Sequence, residues 1–204
     1  MKYDMQINRK LLNGNWKLHK EKSMKIWKLD FELDRYDNFR PKEKWTIEEI
    51  KSFDGRGHFS SWHTILLERL EPEKGLPLSD APGFYPNIPI FSERAVLVLK
   101  KYIDNNAEIL TARYGEKNYY IINITNVLNC INLEESEYKT FPDGKRIMVF
   151  EKYQFVKGKV INQDLFKVRE ETVKRPFVSD AFRETVINSG LTGFSFELVW
   201  ECED

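Results

Sequence analysis

The sequence predicts an α+β fold: mostly antiparallel sheet arranged as a meander, with a buried central helix and a short second helix packed on it. Three observations predict it. Strand-like runs follow one another with few helices between them, one strongly apolar segment carries a helix start signal, and the last strand alternates cleanly. The chain reads as one α+β domain over 1–204, or as an N-terminal subdomain 1–78 joined to a C-terminal subdomain 79–204.

From Lys25 the residues alternate, with Trp27, Leu29, Phe31 and Leu33 on one face and Lys28, Asp30, Glu32 and Asp34 on the other. This is the pattern of a half-buried strand. Tyr36 to Pro41 turns the chain. Trp45 to Phe53 fits either a short helix or a strand, since Ile47 and Ile50 suit the first and Trp45 and Ile47 only partly suit the second. Asp54-Gly55-Arg56-Gly57-His58 is a loop whose glycines are free to take positive φ. Trp62 to Leu70 then reads as a buried strand.

Pro82, Pro86 and Pro89 lack backbone donors and disfavour helix before them, so Ala81 to Ile90 is an extended connection. Ser92 ends it as a helix cap, and Glu93 places negative charge at the positive end of the helix dipole. Ala95, Val98, Leu99 and Tyr102 follow helical spacing, while Val96, Leu97 and Ile103 widen the apolar arc almost to the whole circumference. Such a helix belongs in a core. It is far shorter than the ~20 apolar residues that a bilayer requires. Asn105 and Asn106 are its stop residues.

Ile109 to Tyr114 and Tyr119 to Ile124 make a hairpin around the four-residue loop Gly115-Glu116-Lys117-Asn118. Val127 to Leu133 adds a strand, and Glu134 to Pro142 is polar and exposed. Arg146 to Phe150, Tyr153 to Val156 and Leu165 to Val168 are further strands, with a tight turn at Lys157-Gly158-Lys159. Ser179-Asp180 caps a short helix in which Phe182 and Val186 share a face, and Gly190-Leu191 supplies a Schellman stop. In the last strand Phe194, Phe196, Leu198 and Trp200 are expected to point one way.

Composition narrows the function classes. Lys plus Arg and Asp plus Glu each number 32 in 204 residues, a neutral balance that argues against a dedicated nucleic-acid binder. The segment Met1 to Lys28 is locally basic and reads as a solvated face. The two cysteines, Cys130 and Cys202, form no ligand or disulfide pattern, and Cys130 reads as a small buried hydrophobe. The N-terminus carries no secretory signal and no stretch suits a membrane span, so a cytoplasmic location is expected.

No cofactor motif appears. Gly55-x-Gly57 lacks the third glycine and the lysine of a phosphate cradle. Asp54, His58 and His63 are the nearest approach to an acid/base or metal cluster. The five-residue spacing of the histidines fits neither a helical ligand pair nor one strand face. They define the alternative reading, a small enzyme or ligand-binding protein with a pocket there. His19 reads as a surface residue. Tyr36, Phe39, Arg40 and Trp45 lie in a polar, Pro-bearing stretch without periodicity and are the candidates for an exposed partner-binding patch.

A succession of motifs goes further than any one of them. Leu78-Ser79-Asp80-Ala81, Ile88-Pro89-Ile90-Phe91-Ser92-Glu93-Arg94, Tyr119 to Ile124, Asn132 to Ser136, Asp164 to Lys167, Phe177-Val178-Ser179-Asp180 and Gly190 to Phe196 follow in order. This succession resembles immunity protein family eleven of bacterial polymorphic toxin systems over about residues 76–200. Ala81 stands where the pattern favours an aromatic residue. The resemblance implies a cytoplasmic, non-enzymatic α+β protein that binds and neutralises a cognate toxin encoded by a neighbouring gene. It transfers no toxin-contacting residue.

Overall fold

The structure, a computed structural model, describes residues 23–202. The expectations for His19 and for most of the basic N-terminal segment lie outside the described residues. In chain order the elements are β1 (Met24–Phe31), β2 (Phe39–Pro41), α1 (Ile47–Lys51), β3 (Ile65–Arg69), β4 (Ile90–Ser92), α2 (Glu93–Ile103), β5 (Ala107–Tyr114) and β6 (Lys117–Ile124). There follow β7 (Val127–Leu128), β8 (Glu137–Thr140), β9 (Ile147–Lys152), α3 (Lys157–Val160), β10 (Leu165–Val168), β11 (Phe177–Ser179), α4 (Asp180–Asn188) and β12 (Phe194–Cys202). The architecture is a sheet-rich α+β fold.

The strands do not run as a meander. One sheet has the order β12-β1-β11-β10-β7, a second has β2-β3-β5-β6-β4, and β8 with β9 forms a separate ribbon. Most pairs are antiparallel, but β10 with β7 and β3 with β5 are parallel. The first strand is clamped between β11 and β12, elements from the far end of the chain. The sheet order therefore rests on long-range pairing that no local turn signal encodes.

Helix ends follow the local chemistry. The Ser92 hydroxyl accepts from the Ala95 N–H at 3.2 Å, and the Ser179 hydroxyl accepts from the Phe182 N–H at 3.1 Å. Helix α4 stops in a Schellman motif, with Leu191 N–H on the Val186 carbonyl, Gly190 N–H on the Ile187 carbonyl and Gly190 at φ 60°. Asn105 takes φ 68° just past α2. Helix α2 is one-sided: Ala95, Leu99, Tyr102 and Ile103 are buried, whereas Leu97 is exposed, so its apolar arc is narrower than its composition implies. Tyr102 Oη bonds the Ala181 carbonyl at 3.0 Å and Thr185 Oγ1 at 2.7 Å, which joins α2 to α4.

Several strand expectations change for identifiable reasons. The hairpin of β5 and β6 closes through Gly115-Glu116 alone, since Tyr114 pairs with Lys117 and Gly115 adopts φ 55°. Strand β3 has one deeply buried residue, Leu67, and Leu66 within it and Leu70 just past its end are exposed, because one face is uncovered. Residues 127–133 supply only the two-residue β7. Lys157 to Lys159 opens the short helix α3 instead of a turn, and Tyr153 to Val156 contributes an isolated bridge from Phe155 to Ile131. The alternation of β12 breaks at Val199, where the register against β1 shifts: Leu198 pairs with Trp27 and Trp200 with Ile26. The extra residue turns Trp200 to the opposite face from Phe194 and Phe196, into a different part of the core.

Among the described residues the core has three lobes. One gathers α2, α4 and residues of both large sheets around Leu29, Phe91 and Phe182. A second packs Phe150, Tyr153 and Phe155 against Phe166, Phe177 and Trp200. The third lies in the second sheet around Leu110 and Ile121 and receives Phe39, Phe53 and Leu67. Among the described residues no helix is long and apolar enough to cross a membrane.

Candidate functional site

The end of the second sheet carries a face that its core does not close. Segment 45–53, ambiguous in sequence, is α1 because Thr46 completes a capping box: its hydroxyl accepts from Glu49 N–H at 3.2 Å, and the Glu49 carboxylate accepts from Thr46 N–H at 2.6 Å. Those bonds hold the Glu49 carboxyl below its ordinary range. The cap sets Trp45 immediately before the helix. There it stacks on Phe53 at 5.5 Å and on Tyr85 at 5.7 Å and meets Trp62 and Phe84 edge-on.

Two cavities flank this tryptophan cluster. One, of about 440 Å³, is lined by Trp45, Phe53, His58, Trp62 and His63 with Lys42, Glu43, Lys44 and Glu49 at its margin. The other, of about 560 Å³, lies against Phe39, Arg40, Leu70, Phe84 and Tyr85. Pro41, Lys42 and Lys44 line both, so the segment after β2 is the ridge between them. Both volumes fall within the range of ligand pockets, ~300–1,000 Å³. Leu66, in the lining of the first, is 53% exposed; Ile47 and Phe59, close in the chain to Trp45 and His58 but in neither lining, are 63% and 71% exposed.

The wall formed by residues 53–59 is pinned from below. Glu108 on β5 accepts from His58 N–H at 2.7 Å, Phe59 N–H at 3.2 Å and Asn123 Nδ2 at 2.8 Å. Burial alone would raise that carboxyl, but the three donors outweigh it and hold it below its ordinary value. Asn123 also donates to the Arg56 carbonyl at 2.8 Å. Gly55 takes φ 109°, and a Cβ there would meet Val127 Cγ2 at 2.4 Å. Lys167 reaches across from β10, 1% exposed, and its Nζ donates to the Phe53 carbonyl. Burial drives this lysine down to about 8, against an opposing pull from Asp54.

The predicted residues are only partly brought together. His58 and His63 do share the first cavity, His58 with its ring on Phe53 at 4.5 Å and its Nε2 on the Ser52 carbonyl at 3.1 Å, and His63 against Trp62. Asp54 is not in its lining: its carboxylate forks onto Arg56 at 2.9 and 3.0 Å. Burial would raise Asp54, and the Arg56 contacts overturn that and lower it. Of the patch candidates, Trp45 lies at the centre of the face, and Arg40 is exposed beside the second cavity, paired with Glu68 at 2.7 Å. Phe39 is 2% exposed and belongs to the core, where it packs on Tyr114 and Tyr119. Tyr36 is half-buried and lines neither cavity.

Sequence reasoning missed Phe53, Trp62, Phe84 and Tyr85 as partners of Trp45. The one available signal was the pair of aromatics in the Pro-rich stretch Gly83-Phe84-Tyr85-Pro86, where no periodicity assigns them to a core. Burial pushes the Cys130 thiol up to about 12, which makes it a packing residue of the second core lobe and not a nucleophile.

No curated protein matches the chain. The model of the immunity protein family Imm11 matches residues 35–201, a span that includes the whole tryptophan-centred face as well as α2, α4 and all of β12 but its last residue. With most of its length matched in this way, the chain belongs to the Imm11 immunity protein family.

Proposed function

We propose that the chain protects the bacterial cell that makes it by binding a cognate toxin of a polymorphic toxin system and covering the toxin's working surface. The complex is stoichiometric, forms in the cytoplasm and involves no turnover. Family membership supports a toxin partner in general. The observation that carries the choice of surface is the face around Trp45, where two cavities share Pro41, Lys42 and Lys44, with Leu66 exposed in the lining of the first and Arg40 exposed in that of the second. Aromatic and Arg anchors beside apolar pockets are the composition of interface hot spots, and scattered single apolar residues would not need a common location. Co-expression with the toxin encoded by an adjacent gene tests this. Restored growth and a co-purifying complex are expected; failure of both with every neighbouring toxin contradicts it.

A second reading has its own support, because His58 and His63 share the wall of an apolar cavity of ligand size. It makes the chain a small enzyme or ligand-binding protein. Turnover or saturable binding of a small molecule, lost in His58→Ala with folding intact, would favour this reading over occlusion.

A further inference from the structure

The charges on the ridge between the two cavities say what kind of partner segment fits. Arg40 is neutralised by Glu68, and the Glu49 carboxylate is held by its own helix cap. Lys42 and Lys44 are exposed and make no ion pair among the described residues, and both line both cavities, whereas Glu43 lines only one. The ridge thus offers two ammonium groups between two apolar hollows. We propose that its occupant is a segment of the toxin that carries a carboxylate between two apolar side chains, the carboxylate seated on Lys42 and Lys44 and the apolar groups in the flanking cavities. This rests on the reading of the face as the toxin-binding surface and adds the chemistry of the partner.

Three physical points favour that occupant over a basic or purely apolar one. A cationic segment would meet Lys42 and Lys44 as like charges across a contact that excludes water, and such juxtapositions are strongly disfavoured. A purely apolar segment would strip water from both ammonium groups and give them no acceptor. An extended segment presents alternate residues to one side, so apolar, acidic and apolar residues at positions i, i+2 and i+4 face the ridge together.

Two experiments test the proposal. The first needs no toxin: the peptide acetyl-Phe-Gly-Asp-Gly-Phe-amide is titrated into the full chain while the indole N–H resonances of Trp45 and Trp62 are followed. Saturable shifts are expected, and the analogue with Lys in place of Asp should bind at least about tenfold more weakly. Equal or better binding of the Lys peptide, or no shift of either indole with the Asp peptide, overturns the proposal. The second uses the toxin that the wild-type chain neutralises. Lys42→Glu with Lys44→Glu should weaken toxin binding about tenfold or more and invert its salt dependence, so that added salt strengthens binding of the variant and weakens that of the wild type, with the melting curve unchanged. Toxin binding that is unaltered by both substitutions sinks the acidic segment and leaves occlusion standing. A wild-type chain that neutralises no toxin sinks occlusion, and the peptide titration then decides the ridge chemistry alone.

Discussion

Asp80 and Trp45 each sit at the centre of a cluster that collects side chains from distant parts of the chain, yet the two clusters end differently. Around Asp80 the polar groups close on one another. Its Oδ1 accepts from Ser92 Oγ at 2.7 Å, and its Oδ2 accepts from Arg94 at 2.8 Å, Thr192 N–H at 3.0 Å and Thr192 Oγ1 at 3.2 Å. Arg94 continues to the Ser189 carbonyl at 2.6 Å, so one carboxylate ties the Pro-rich stretch, the start of α2 and the end of α4 together. Around Trp45 the rings also interlock, but the cluster opens onto cavities and exposed apolar side chains. Asp80 also edges a hollow of about 480 Å³, but its lining is mainly polar, with Ser79, Glu93, Arg94, Lys117 and Thr192. The lesson is that the first centre spends its polar groups on one another, whereas the second leaves apolar contact surface unspent.

Breaking the first centre should have the largest effect. Asp80→Ala removes the acceptor of four donors, one of them charged, and is expected to cost ~3–5 kcal/mol in urea unfolding. A loss below about 1 kcal/mol would mean that the hub is decorative. At the second centre, Trp45→Ala should cost less, ~2–3 kcal/mol, since Trp45 is only half-buried and neighbouring rings can partly collapse into its place. A larger loss than that of Asp80→Ala would reverse the ranking of the two regions.

Lys167 lies between these extremes and has a predicted sign. Its amine titrates near 8 when folded and near 10.5 when unfolded, so below about pH 8 the folded state carries the full penalty of a buried charge. Between about 8 and 10.5 the unfolded chain holds the proton and the folded chain does not, so this group makes stability rise with pH across that window. Lys167→Met should therefore raise stability at pH 7 by ~1–2 kcal/mol, after allowing for the lost bond to the Phe53 carbonyl. The gain should shrink as pH approaches 10.5. Urea titrations of both proteins at several pH values check this, and a pH-independent difference would remove the charge from the explanation. The smallest effect is expected at Ile47: Ile47→Ser should change stability by no more than about 0.5 kcal/mol, because the side chain is already largely in water.

The elements that meet around the first centre were legible in sequence, although the bonds of Asp80 to Arg94 and Thr192 were not. Caps at Ser92 and Ser179, the Gly190-Leu191 stop and the alternating face of Trp27, Leu29 and Phe31 are local signals, and each is found where the residues place it. What stayed hidden is non-local. The sheet order brings β1 between β11 and β12, and nothing near residue 26 announces that a bulge at Val199 will turn Trp200 to the other face. The candidate face was visible only as Trp45 and Arg40, while Phe39, three residues from Tyr36 in the same aperiodic stretch, turned inward because β2 pairs with β3. Trp62, Phe84 and Tyr85 reach Trp45 through chain reversals that carry no sequence periodicity.

The most direct test of the account is calorimetric titration of the neutralised toxin with the wild-type chain and with the double substitution Ile47→Asp and Phe59→Asp, alongside their melting curves. Both side chains stand in solvent, so the fold should be unchanged, while binding through this face predicts affinity at least ~30-fold weaker. Undiminished affinity in a folded double variant would contradict the claim that this face covers the toxin.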